Sequence, residues 1–170
     1  MSITYRLATL VDGPALVATG RQCFLETFGP HFPAADMAAH LDRSFGPDGL
    51  LADLADPACR IRMAEDDGRT AGYVKLMPMG LPVDHPAGSL EIKQLYILTP
   101  WQGAGVAAAL MDWAVGAARE SGSPALFLSV WEKGARAIAF YRKHGFEIAG
   151  SAPFTLGVSV MVDPVMRRDL

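Results

Sequence analysis

One stretch constrains this chain more than any other. The segment Leu90 to Leu98 has the length of a strand. Thr99-Pro100-Trp101-Gln102 follows as a turn, and a strongly apolar, alanine-dense helix is predicted from Gly103 to about Glu120. Where a helix begins, several backbone N–H groups lack intrahelical partners and point the same way. Gly103 and Gly105 let a ligand approach that backbone closely, and the helix dipole adds partial positive charge. The turn therefore reads as an anion cradle, with a diphosphate as its natural guest. Gly103 to Ala108 also satisfies the relaxed dinucleotide fingerprint G-x-G-x-x-A, which wants its first glycine directly after the strand and an acid about 20 positions on. Both conditions fail: four residues intervene, and the next strand carries no acid before Glu132. The lysine of a Walker loop is missing as well. A turn that merely packs a helix on a sheet remains the alternative on these residues alone.

The rest of the chain surrounds this unit with alternating elements. Ile3 to Ala8 is a first strand, and Asp12-Gly13-Pro14 opens a helix predicted to about Thr27, stopped by Gly29-Pro30. A second helix starts near Ala34 with Met37, Leu41 and Phe45 as its stripe, and Leu50, Leu51 and Leu54 mark a short third one. Arg60 to Met63 and Thr70 to Met77 read as a hairpin about Asp66-Asp67-Gly68, followed by a Pro- and Gly-rich loop from Pro78 to Gly88. Ala125 to Trp131 has the continuous apolarity of a central strand. Ala135 to His144 is a helix ended by Gly145, and Phe146 to Ala149, Thr155 to Val162 and Val165 to Arg168 supply the last strands. Hairpins mixed with crossover helices predict an α/β fold with a mixed, mostly antiparallel sheet of six to seven strands flanked by helices.

A chain of 170 residues that is 51% hydrophobic fills one core, so residues 1–170 are expected to form a single domain. No apolar run approaches the roughly 20 residues of a bilayer span. Nothing at the N-terminus reads as a signal peptide, which makes a cytoplasmic protein the expectation. A net charge of −3 without a basic cluster excludes a nucleic-acid footprint. Cys23 and Cys59 match no redox or metal spacing and read as free buried thiols, and the four histidines form no ligand set, so no metal is expected.

The motif Gln102-Gly103-Ala104-Gly105-Val106-Ala107 resembles the Gln/Arg-x-x-Gly-x-Gly/Ala signature of the GNAT acyltransferase superfamily. Two neighbours reinforce it. Leu95-Tyr96-Ile97 is similar to the family's fourth strand, and Arg136 to Phe146 to its A-x-x-F-Y…G-F segment. The resemblance covers roughly residues 3 to 150. Phe24 to Phe28, Lys93 to Ile97 and Val130 to Lys133 further resemble PaiA-type spermine/spermidine acetyltransferases. The resemblance implies the GNAT fold and acetyl-CoA as cosubstrate. It implies direct transfer of the acetyl group to a primary amine, such as a polyamine. Other readings stay open: a protein N-terminus, amino acid or drug amine as acceptor, or a non-catalytic acyl-CoA sensor. Relatives are commonly homodimers, and Phe154 to Val162 reads equally as an interface strand or an internal hairpin.

Amide formation from a thioester needs a neutral amine, a stabilised oxyanion and a proton for the departing thiolate. The resemblance assigns the oxyanion to a splayed strand N–H near Ile97 or Leu98, and donor binding to Leu95, Tyr96, Ile97 and Gln102 through Ala108. It makes Tyr141 the proton donor, whose alternative is a tyrosine that only packs its ring. It nominates Glu91 as general base, against a plain solvated or salt-bridged carboxylate. Strict alternation puts Glu91, Lys93, Leu95 and Ile97 on one face, Glu91 about 20 Å from the acetyl end. An acid that other relatives carry on the next strand corresponds to Ser129, and an Asn that contacts pantetheine in many relatives is Gly134 here. Backbone groups or Lys133 are left to take that Asn's place on the pantetheine, and Lys143 or Arg142 to meet a CoA phosphate or simply to cap the helix. The family's first helices wall the acceptor site, which nominates Glu26, Thr27, Phe28 and His31. Glu26, Asp36, Asp42 and Glu91 suit a cationic acceptor or an ordinary wet helix face.

Overall fold

A computed structural model describes residues 1–170. It holds seven strands: β1 (Ile3–Leu7), β2 (Arg60–Asp66), β3 (Arg69–Pro78), β4 (Leu90–Ile97), β5 (Ala125–Ser129), β6 (Glu147–Leu156) and β7 (Ser159–Asp169). Five helices accompany them: α1 (Gly13–Phe28), α2 (Ala34–Ser44), α3 (Leu50–Ala55), α4 (Val106–Glu120) and α5 (Ala135–Lys143). The strands form one sheet in the order β1-β2-β3-β4-β5-β7-β6, antiparallel except between β4 and β5.

Each face of the sheet carries its own core. On one, α4 lays Leu110, Met111, Ala114 and Ala118 against Val74, Leu76, Ile92, Leu126 and Met166, its alanines allowing close approach. On the other, Leu16, Phe24, Met37, Leu41 and Leu50 from α1 to α3 pack on Ile61, Met63, Tyr73 and Leu156. No helix is long and apolar enough to cross a membrane.

The C-terminal third departs from its sequence reading. Instead of three short strands, β6 and β7 form one long hairpin, pairing from Glu147 with Arg167 to Leu156 with Ser159. Phe154 to Val162 thus includes the hairpin's own turn at Gly157-Val158, and of the two readings of that stretch the internal hairpin holds. Gly150 and Pro153 interrupt the apolar alternation of β6, an edge strand where proline is tolerated, and Pro164 of β7 lies one residue past the Ser129–Val165 pair that ends the ladder with β5.

Lys75 is a charge inside the helix-covered core, 4% exposed and paired with Asp53 of α3, which is 30% exposed. Removing the partner strands an ammonium in an apolar layer. Asp53→Ala is expected to cost about 3 kcal/mol, the low end for a broken buried pair because water reaches Asp53, whereas Lys75→Met at similar volume should cost less. Chemical denaturation of both variants reads the difference, and equal losses would mean that the pair contributes nothing beyond packing.

Candidate active site

The site begins with an irregularity in β4. Lys75 pairs with Gln94 and Leu76 with Ile92, so Lys93 is an extra residue that β3 does not match, a bulge. The bulge shifts the alternation. Leu90, Ile92, Leu95 and Ile97 all pack on the α4 side, while Tyr96 joins the α1 side and Gln94 accepts a hydrogen bond from the Tyr73 hydroxyl there. The expected common face of Glu91, Lys93, Leu95 and Ile97 is therefore corrected: Glu91 shares its face with Gln94 and Tyr96, and Lys93 is exposed.

The second irregularity is a splay. β4 and β5 pair only at Leu90 with Leu126 and Glu91 with Phe127, and part beyond. Leu98 donates its N–H to Ala71 of β3. Alternation along an antiparallel ladder then turns the Tyr96 N–H to β3 and those of Leu95 and Ile97 to the opened β5 side. Of the two positions expected near the oxyanion, Leu98 is thus engaged and Ile97 free, with Leu95 beside it. The Ile97 carbonyl accepts from Gln102 Nε2 at 3.0 Å, which ties the end of the strand to the turn.

That turn has the geometry of a cradle. Gly103 and Gly105 adopt φ of +80° and +84°, and a Cβ on either would point into open space. The α4 ladder opens with Ala109 donating to Gly105, so the N–H groups of Val106, Ala107 and Ala108 have no partner within the helix. Across the gap, Arg136 in the first turn of α5 donates to Gln102 Oε1 at 3.3 Å. Arg136 brings a guanidinium to the cradle that the sequence reading did not single out.

Tyr141 lies on α5, half-buried, its ring edge-on to Phe140 and Phe146 on the α4 side of the sheet. Burial alone pushes its hydroxyl up to about 12. On the opposite face, Phe28 of α1 meets Trp131 at 5.1 Å and Phe154 at 6.4 Å between ring centroids, and His31 lies 5.0 Å from Trp131. An aromatic wall thus stands beside the opened end of the sheet. A polar, open concavity lined by Met1, Ser2, Thr4 and Asp66 to Arg69 lies elsewhere and holds none of these residues.

Comparison with known proteins agrees with this geometry. The family model described as "Acetyltransferase (GNAT) family" matches residues 21–146. The chain belongs to the GNAT acetyltransferase family. An uncharacterised N-acetyltransferase of Mycobacterium bovis is 32% identical over 161 residues, 95% of this chain and 99% of that protein. An aminoalkylphosphonate N-acetyltransferase of Salmonella typhimurium is 32% identical over 107 residues, 63% of this chain and 69% of the other. The crystal structure of a PaiA N-acetyltransferase from Thermoplasma acidophilum, in complex with coenzyme A, superposes with a TM-score of 0.81 at 18% identity, covering both chains fully. The chain is an N-acetyltransferase with the GNAT fold.

Within this GNAT acetyltransferase the remaining nominated residues have separate surroundings. Glu91 is buried, 2% exposed, with Oε2 accepting from the Gly80 N–H at 3.1 Å and Oε1 3.4 Å from Lys93 Nζ. Glu26 bonds Gln22 through one oxygen and the Thr99 hydroxyl through the other, so it braces the turn after β4 against α1. Thr27 returns its hydroxyl to the Cys23 carbonyl. Phe28 and His31 belong to the wall. Gly134 caps α5, and a Cβ there would stand 3.1 Å from the Trp131 carbonyl, a reason for glycine where many relatives have Asn. Ser129 pairs with Val165 at the exposed end of β5, and Lys143 is exposed in the last turn of α5. Trp131 and Phe154 escaped the site reading because aromatic residues on separate elements leave no spacing signal.

Proposed function

We propose that this acetyltransferase passes the acetyl group directly from acetyl-CoA to a small primary amine, with polyamines as first candidates. The observation that carries the reading is the opened β4 edge, flanked by the glycine cradle at one end, with Tyr141 packed on the same core as Leu95 and Ile97. Acetyl-CoA brings an acyl thioester whose carbonyl carbon accepts an amine. The N–H groups ahead of Ala109 and the Arg136 guanidinium suit its diphosphate, and Gln102 fixes the turn that presents them. The Leu95 and Ile97 N–H groups suit the carbonyl oxygen and its developing negative charge. Tyr141 holds a proton for the departing thiolate.

Glu91 acts as base through ordered water rather than by contact. Gln94 and the Tyr73 hydroxyl share its face of the sheet and lead towards Tyr96. Direct transfer fits the cysteines too, since burial pushes Cys23 up to about 12 and Cys59 to about 11, far from a thiolate nucleophile at neutral pH. The hairpin pairs within the chain, and its exposed Val158, Val160, Val162 and Ile148 are apolar surface that a second copy would cover, which supports a homodimer.

Calorimetric titration with acetyl-CoA, then thiol release with spermidine, spermine, aminoalkylphosphonates and simple amines, tests the reading. Saturable binding, amine-dependent release and a sequential kinetic pattern are expected. CoA release that leaves acetylated enzyme before amine is added overturns direct transfer. Indifference to polyamines removes that acceptor class while leaving the amine reading intact.

A further inference from the structure

The acceptor side of the sheet contains an acid that none of the steps above uses. Asp163 of β7 is 6% exposed, and its one hydrogen bond is to the backbone N–H of Glu132, 3.1 Å from Oδ1. None of the chain's ion pairs includes it. A buried carboxylate without a cation is costly, and its proton is held above the usual range by burial and by the charge of Glu132.

Register gives its surroundings. Asp163 faces Ala152 on β6, and Phe154 is its diagonal neighbour on the same side of the hairpin. Val130 donates to Pro164, so Asp163 lies just beyond the end of β5, level with Trp131 and Glu132. The carboxylate therefore borders the Phe28–Trp131–Phe154 wall, and aromatic faces attract alkylammonium groups. We infer that Asp163 and this wall form a subsite for a second ammonium group of the acceptor, one that is not acetylated. The inference rests on the amine-acetyltransferase reading and narrows its substrate class to diamines and longer polyamines.

The distances exclude the reacting amine as the group held. Asp163 is on β7 and the Leu95 and Ile97 N–H groups are on β4, two strand spacings apart, about 10 Å where the strands pair and more where they splay. Because Leu95 and Ile97 lie past the last β4–β5 pair, that spacing is a lower bound, and allowing about 3 Å for the ion pair leaves at least roughly 7 Å, the reach of about four or five methylenes or more.

Thiol-release kinetics with n-butylamine, 1,4-diaminobutane and 1,5-diaminopentane test this on the wild type and on Asp163→Asn, which keeps an acceptor for the Glu132 N–H but no charge. The wild type is expected to prefer the diamines by about tenfold or more in kcat/KM. D163N should abolish that preference by raising the diamine KM, with n-butylamine kinetics and acetyl-CoA Kd unchanged. Retained preference in D163N, or none in the wild type, overturns the subsite. Equilibrium binding of radiolabelled 1,4-diaminobutane gives a readout without turnover. Weaker binding to D163N supports the subsite even if no thiol is released, which would sink the transferase reading alone, and equal binding to both proteins sinks the subsite itself.

Discussion

Tyr141→Phe is expected to lower kcat by about a hundredfold or more while leaving the Kd for acetyl-CoA within about twofold. The substitution removes one oxygen and keeps the ring that packs on Phe140 and Phe146, so α5 should stay in place. What is lost is the proton source for a thiolate whose conjugate acid has a pKa of about 8.5. Because burial pushes the hydroxyl up to about 12, its proton stays on throughout the range in which the enzyme is assayed. The sign follows directly. A proton donor with a raised pKa is active below that pKa and is lost only as pH rises through it, so wild-type kcat should show no alkaline limb from Tyr141 below about pH 11. The pH profile of kcat for the wild type and the variant checks both statements. A variant that keeps wild-type kcat at every pH would return Tyr141 to a packing role.

How far the sequence reveals this enzyme depends on whether a feature is local. The cradle is legible because positive φ selects glycine, and the glycines stand in the motif itself. The α4 face is legible because Val106, Leu110, Ala114 and Ala118 recur at helical spacing. The bulge at Lys93 leaves only a faint trace, the doubled polar step Lys93-Gln94 between Ile92 and Leu95, and strict alternation reads across it because the extra residue exists only in the mismatch with β3. For the same reason the faces of Glu91 and Leu95 come out wrong from alternation alone. The splay between β4 and β5 depends on pairing that no single segment encodes. Asp163 interrupts an apolar strand pattern and passes for an edge charge, although the wall beside it and the end of β5 enclose it. Glu26 shows the converse, an acid that looks free in sequence and in the fold bonds Gln22 and Thr99.

Gly105→Val should weaken acetyl-CoA binding by about a hundredfold or more, the largest effect on the donor side. Gly105 is the residue from which α4 starts, at φ +84°, and a β-branched residue held there is strained by about 1–2 kcal/mol. Strain alone accounts for at most about tenfold in affinity and a modest fall in Tm. The larger part comes from position. A Cβ at Gly105 meets no protein atom within 4 Å, so the new side chain stands in the opening through which a diphosphate would reach the N–H groups of Val106, Ala107 and Ala108. Gly105→Asn separates the two contributions, because Asn tolerates the left-handed region with little strain but still fills the opening. Under the cradle reading Gly105→Asn keeps a near-wild-type Tm and loses most of the affinity in a calorimetric titration. If the turn only packs α4 on the sheet, that variant collides with nothing in the protein and binds as the wild type does, and the anion site must lie elsewhere.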